Sequence, residues 1–184
     1  MIKINDILEY VNDGLKTHYF KDITTYGVAE LVTRKDNYED VDIITPAIYD
    51  GNGNYNYIQK DTNGLNIYHR ILSFDNEEDL EEGFGRNSLT TENYTIRTVF
   101  FGQQIAIEQS CNDINYYLAK EFKKLIPRSL DLVDTNRILV TGINYDKEQI
   151  KKEESVDFSP ESVLFTIDMD IVIKGIETCN ELSC

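Results

Sequence analysis

The stretch SVLFTIDMDIVIKG at residues 162–175 constrains the fold more than any other part of the chain. Large apolar residues occupy every second position, namely Val163, Phe165, Ile167, Met169, Ile171 and Ile173. Polar residues lie between them at Thr166, Asp168, Asp170 and Lys174. Because side chains alternate between the two faces of a sheet, this pattern predicts a long strand with one face in the core and the other in water. We therefore expect Asp168 to tolerate replacement.

Two segments instead show the spacing of an amphipathic helix. The first should end near Thr17, and its apolar face is formed by Ile4, Ile7, Leu8, Val11 and Leu15. The second should begin at Ser110 or Asn112 and end at Pro127, and its apolar face is formed by Ile114, Tyr117, Leu118, Phe122 and Leu125. Both helices need an apolar surface to cover, and the predicted sheet supplies it.

Strand-like segments fill most of the remaining chain, at residues 27–34, 40–50, 55–59, 65–74, 92–109 and 137–146. Gly102 suggests a bulge in the long strand 92–109. The order of helix, several strands, helix and two closing strands predicts an α+β fold, with a mostly antiparallel sheet, two helices packed on one face and long loops. At 184 residues we expect a single domain, 1–184, with a frayed C-terminal tail from about residue 176.

The segment DGNGNYNYIQKD at 50–61 resembles a calcium-binding loop, because Asp50, Asn52 and Asn54 take its first, third and fifth positions. Tyr55 stands where such a loop needs glycine, and Asp61 stands where it needs a bidentate glutamate. Asn, Asp and Gly also favour tight turns. We therefore predict a hairpin turn and no metal.

No catalytic or cofactor-binding motif stands out, so the sequence predicts a non-enzymatic protein without cofactors. His18 and His69 are read as structural or surface residues. Asp168 and Asp170, two residues apart on one strand face, have the spacing of an acid pair, but a solvated face explains them equally well. Cys111, Cys179 and Cys184 lack metal-ligand spacing and are read as free thiols.

The charge balance limits the classes of partner. With 33 acidic and 18 basic residues the net charge is −15, so binding to nucleic-acid phosphates or to an anionic membrane is disfavoured. We expect neither a signal peptide nor a transmembrane segment. Six acids cluster in what we read as an exposed loop, namely Asp75, Glu77, Glu78, Asp79, Glu81 and Glu82.

Four features together resemble the head–tail joining proteins of tailed bacteriophages, the tail-terminator and tail-completion group. They are the N-terminal helix INDILEYVNDGLK, the central strands with their acidic segment, the helix NDINYYLAKEFKKLIP and the last strand. The Asn- and Tyr-rich composition is also similar to that of ring proteins in crAss-like phage virions. The resemblance implies a virion protein of the neck or tail, made in the host bacterial cytoplasm.

Such proteins form homo-oligomeric rings that contact portal, neck or tail-tube proteins and let DNA pass without specific binding. The acidic segment 75–82 would then line the lumen or dock on a neighbouring subunit. We predict subunit contacts through the edge strands around Pro46 and through strand 92–109, at Ile96, Val99, Phe100 and Phe101.

Two other functions are open on the sequence alone. One is an acidic DNA-mimic or inhibitor that binds a nucleic-acid enzyme, although the acids at 75–82 are tightly clustered for that role. The other is a β-domain that binds a small ligand against the tyrosine-rich segment YNYIQ.

Overall fold

Eight strands and three helices occupy the part of the chain that the computed structural model describes, which is residues 4–15, 23–35, 41–58, 64–80, 87–103, 114–126, 137–154 and 162–178. The helices are α1 (Ile4–Leu15), α2 (Ile114–Leu125) and α3 (Lys147–Glu154). The strands are β1 (Ile23–Val28), β2 (Glu30–Lys35), β3 (Asp42–Tyr49), β4 (Tyr55–Tyr57), β5 (Leu65–Leu80), β6 (Asn87–Gln103), β7 (Arg137–Asn144) and β8 (Ser162–Thr178).

The larger sheet has five strands in the order β1-β5-β6-β8-β7. Every neighbouring pair is antiparallel except β1 and β5, which run parallel from Ile23 opposite Leu65. The fold is α+β with a mainly antiparallel sheet, as the order of sequence patterns predicts. β8 lies inside the sheet and continues to Thr178, opposite Asn87. The prediction of a frayed tail from about residue 176 is therefore wrong for 176–178, and 179–184 lie outside the described residues.

The main core lies between one face of this sheet and helices α1 and α2. The predicted inward row of β8 is confirmed, because all six of its side chains belong to this core. The helices contribute Ile7, Leu8, Val11, Leu15, Leu118, Ala119 and Phe122, all at most 3% exposed. Phe100 stacks on Phe165 with ring centroids 4.5 Å apart, so the middle of the sheet meets α2 through aromatic contacts.

The opposite face of the sheet is also partly covered, which corrects the expectation that it is fully solvated. Leu164 and Thr166 of β8 are completely buried there, and Ile150 of α3 packs into the same second core. Helix α3 begins after Asp146, whose Oδ1 accepts backbone N–H bonds from Glu148 and Gln149. Its eight residues contain a single apolar side chain, so periodicity could not predict it.

A smaller sheet, β2-β3-β4, holds the predicted turn. Residues 50–54 connect β3 to β4 as a hairpin, and Gly51 and Gly53 adopt φ angles of 81° and 93°. Asp50 closes the turn by accepting the backbone N–H of Asn52 at 2.7 Å. These hydrogen bonds, with that from Asn52 the largest, lower the pKa of Asp50. The hairpin prediction is confirmed, and Asp61 lies outside the described residues.

Gly102 does not mark a bulge, because its pairing with Leu65 and with Val163 continues without a shift in register. It allows a close approach instead. A Cβ at this position would lie 2.3 Å from the carbonyl oxygen of Gly64 and 3.1 Å from the Cα of Leu65. The glycine is therefore required by the tight contact between β6 and the start of β5.

Candidate subunit interface

The acidic segment lies in a long strand, not in a loop. Residues 75–80 belong to β5 and pair in register with β6, from Asp75 opposite Asn93 to Leu80 opposite Ser88. The prediction of a loop is therefore wrong for Asp75, Glu77, Glu78 and Asp79, while Glu81 and Glu82 lie outside the described residues. The strand tolerates these carboxylates because Asn or Thr residues, not other acids, stand opposite Asp75, Glu77 and Glu78.

β5 and β6 extend beyond the body of the sheet and, with the end of β8, form a three-stranded arm. β1 pairs with β5 only as far as His69, so no described strand covers the outer side of β5 from Arg70 onward. We call residues 71–80 the arm edge. Its apolar side chains Ile71, Leu72 and Phe74 are 39%, 41% and 53% exposed. Phe74 packs on Tyr94 of β6 with ring centroids 4.8 Å apart, which gives the arm a small aromatic cluster of its own.

The four residues predicted as subunit contacts are not at an edge. β6 lies between β5 and β8, and Ile96, Val99, Phe100 and Phe101 are all at most 2% exposed. Ile96 and Phe100 join the main core, while Val99 and Phe101 join the second core on the other face. A strand buried on both faces reads as a continuous apolar run, and TVFF in this strand is the signal that identifies it.

The predicted edge around Pro46 is also wrong. Pro46 lies opposite Leu31 in β3, which is the middle strand of the smaller sheet, and its carbonyl oxygen accepts a hydrogen bond from the backbone of Ile58. Both neighbouring strands are short, so the missing N–H of proline does not prevent this central position.

The second free edge of the larger sheet is β7, which pairs only with β8 in the described structure. Its sequence, RILVTGIN, has no acidic residue, and Leu139 is 46% exposed. Beside the end of β7, Tyr145 meets Tyr116 of α2 edge to face at 5.3 Å. The ammonium group of Lys120 lies 4.2 Å above the Tyr116 ring. We call residues 137–145 the β7 edge.

A buried ionic network holds α3 on the second face of the sheet. Arg97 binds Asp168 through Nε–Oδ1 at 2.8 Å and Nη2–Oδ2 at 3.0 Å, and it also binds Glu153 of α3. Glu154 is fully buried and accepts hydrogen bonds from Arg70 at 2.9 Å and from the Tyr68 hydroxyl at 3.2 Å. The hydrogen bond with Asp168 raises the pKa of Arg97, and burial raises the pKa of Tyr68. Each carboxylate has a cationic partner, so the network locks α3 in place.

The sequence contains a signal for this network that periodicity does not detect. Arg97 and Asp168 are directly opposite each other in the β6–β8 register. Neither the strand pairing nor the presence of α3 is readable from the alternation of β8 alone. Asp168 and Asp170 are accordingly not a free acid pair, since Asp170 accepts a hydrogen bond from the Thr95 hydroxyl.

His69 is a buried structural residue, as predicted. Its Nε2 is 3.0 Å from Oδ1 of Asn12, and its Nδ1 is 2.9 Å from Oγ1 of Thr98. Burial lowers its pKa to about 4, so the ring is neutral near pH 7. His18 and the three cysteines lie outside the described residues.

Within the ranges described, no three His, Cys, Asp or Glu side chains are grouped to hold a metal ion. None of the helices found there has the length and apolar character needed to cross a membrane. Searches of protein-family models and of curated proteins return no match to this chain.

Proposed function

We propose that the protein is a non-enzymatic structural subunit that forms a ring in the neck or tail of a tailed bacteriophage, joins tail components and lets DNA pass. The observation that carries the proposal is a pair of unlike free edges on one sheet. The arm edge and the β7 edge lie on opposite sides of the five-stranded sheet, and each exposes apolar side chains. An exposed strand edge with apolar side chains readily pairs with another chain.

The charges on the two edges favour contact between different edges. Asp75 and Glu77 are exposed on the arm edge, whereas the only charged residue of β7 is the exposed Arg137. Two arm edges brought together would oppose carboxylate to carboxylate, which is unfavourable. An arm edge against a β7 edge avoids this repulsion and joins two apolar strips. The acidic segment is therefore assigned to the subunit contact.

Contact between two different patches is heterologous, and it forms a ring when the rotation between successive copies closes. The net charge of −15 supports the passage of DNA, because an acidic surface repels phosphates over about 8–10 Å at physiological salt. The neck or tail location is carried over from the resemblance of the sequence to head–tail joining proteins.

Blocking one edge at a time tests the contact. Phe74→Asp places a charge on the arm edge, and Leu139→Asp places one on the β7 edge. Ile44→Asp is the matched control, because Ile44 is 47% exposed but lies in the smaller sheet. Native mass spectrometry should show a closed oligomer for the unmodified chain and the control, and a monomer for each blocked variant.

Mixing the two blocked variants distinguishes a heterologous contact from a symmetric one. Each variant keeps one working edge, so an equal mixture should form dimers and nothing larger. A monomeric unmodified chain, or a mixture that stays monomeric, would refute ring formation through these edges. Circular dichroism melts of each variant check that it is folded.

The virion assignment needs a separate measurement. Mass spectrometry of purified particles should detect the protein, and its gene should lie among portal and tail genes. Absence from particles, together with a stable complex with a nucleic-acid enzyme, would favour the DNA-mimic alternative.

A further inference from the structure

A cleft of about 530 Å³ lies between helix α1, strand β1 and the end of β3. This volume is within the range of small-ligand sites, roughly 300–1,000 Å³. One wall is a single face of α1, formed by Asn5, Leu8, Glu9 and Asn12 at helical spacing. Neither the subunit contact nor the ionic network described above uses these residues.

The inner end of the cleft presents a fixed amide donor. Asn12 is only 7% exposed, and its Oδ1 can only accept, so His69 must donate from Nε2. The Nδ1 of a neutral imidazole is then an acceptor, which takes the hydroxyl proton of Thr98. This chain of hydrogen bonds fixes the orientation of the Asn12 side chain. Its Nδ2 has no hydrogen-bond partner among the described residues, although Asn12 lines the cleft.

The mouth of the cleft is acidic and aromatic. Glu9 comes from the helical wall and Glu30 from the opposite side, and both are exposed. Tyr26 and Tyr49 lie between them, and the lining residues include no lysine or arginine. Glu30 keeps its position by accepting a hydrogen bond of 2.9 Å from the Tyr55 hydroxyl. Two carboxylates without a cationic partner in the lining favour a cation.

We propose that this cleft binds an arginine side chain of a partner polypeptide. The guanidinium lies against Glu9 and Glu30, and a carbonyl oxygen of the same residue accepts a hydrogen bond from the Asn12 amide. Arginine fits better than lysine because its planar group forms paired bonds to carboxylates and stacks on tyrosine rings. This assignment does not depend on ring formation.

Four small probes test the chemistry by calorimetric titration. Nα-acetyl-arginine N-methylamide carries both the guanidinium and the peptide carbonyls, and it should bind. The citrulline counterpart, which is neutral, should bind at least about tenfold more weakly, because charge-assisted hydrogen bonds are roughly twice as strong as neutral ones. The lysine counterpart should also bind more weakly. Agmatine, a free amine without a carbonyl, should lose the Asn12 contact and bind less well than the arginine probe.

Surface variants locate the site. Glu9→Gln and Glu30→Gln should each weaken binding of the arginine probe by about tenfold. Glu148→Gln is the control, because its side chain is 85% exposed on α3, and it should leave binding unchanged. No binding of the arginine probe, equal binding of the citrulline probe, or insensitivity to both glutamate variants would overturn the proposal. Equal affinity for agmatine would show that the site takes free amines and not a peptide arginine.

Discussion

Arg97 of β6 and Asp168 of β8 face each other across the centre of the sheet and form a two-point salt bridge. The same guanidinium reaches Glu153 and lies 3.5 Å from the buried Glu154, so it joins two strands to helix α3. This contact turns a face that looks solvated in the sequence into a packed surface. It also gives Asp168 a structural role that its exposed neighbours lack.

Replacing Asp168 with Asn should lower the free energy of unfolding by about 1.5–3 kcal/mol, because it removes hydrogen bonds to a charged group that is only 15% exposed. Asp42→Asn provides the control. Asp42 pairs with Lys35 at 3.0 Å, but both side chains are 63% exposed, so the loss should stay within about 1 kcal/mol. Urea denaturation compares the two variants. Equal losses would mean that the Arg97 network contributes nothing beyond a surface ion pair.

Stability should fall as the pH is lowered from about 6.5 to about 4 through His69. The unfolded histidine titrates near 6.5, while burial lowers the folded pKa to about 4, so the unfolded state binds the proton more readily in this window. The contribution is complete above pH 6.5 and decreases by about 1.4 kcal/mol per pH unit below it. His69→Gln should remove this part of the slope in denaturation measured across the same range. A variant with the unmodified slope would contradict the assignment.

The inward row of β8 should dominate the stability of the main core. Ile167→Ala or Ile171→Ala should each lower the free energy of unfolding by about 2–5 kcal/mol, because both side chains are at most 1% exposed. Ile44→Ala is the matched control, since Ile44 is 47% exposed and should lose far less. Denaturant melts give the comparison. A large loss at Ile44 would imply that the smaller sheet is covered in solution.

Gly102→Ala should destabilise the fold by about 1–3 kcal/mol, as expected for overpacking. The added methyl group would collide with backbone atoms of Gly64 and Leu65, which cannot rotate away. Gly27→Ala makes the same chemical change in β1, where a Cβ meets nothing within 4 Å, and it should be nearly neutral. Thermal melts of the two variants test the difference. A neutral Gly102→Ala would show that β5 and β6 can separate without cost.

Local patterns were sufficient for the elements whose side chains repeat regularly. Helix α1, the buried row of β8 and the hairpin after Asp50 all follow from short-range rules, namely helical spacing, strand alternation and the turn preferences of Asn, Asp and Gly. The α+β class follows from their order. Helix α3 was missed because Ile150 alone marks its buried side, and its stability comes from contacts with Arg70 and Arg97.

The candidate interface was predictable only in part, because an edge is a property of the whole sheet. The sequence shows that residues 75–82 are acidic and that 92–103 favours a strand. It does not show that β6 lies between β5 and β8, or that β1 leaves β5 at His69. Pairing between distant segments decides which strand is buried on both faces, and it thereby moved the exposed edge from Phe100 to Phe74.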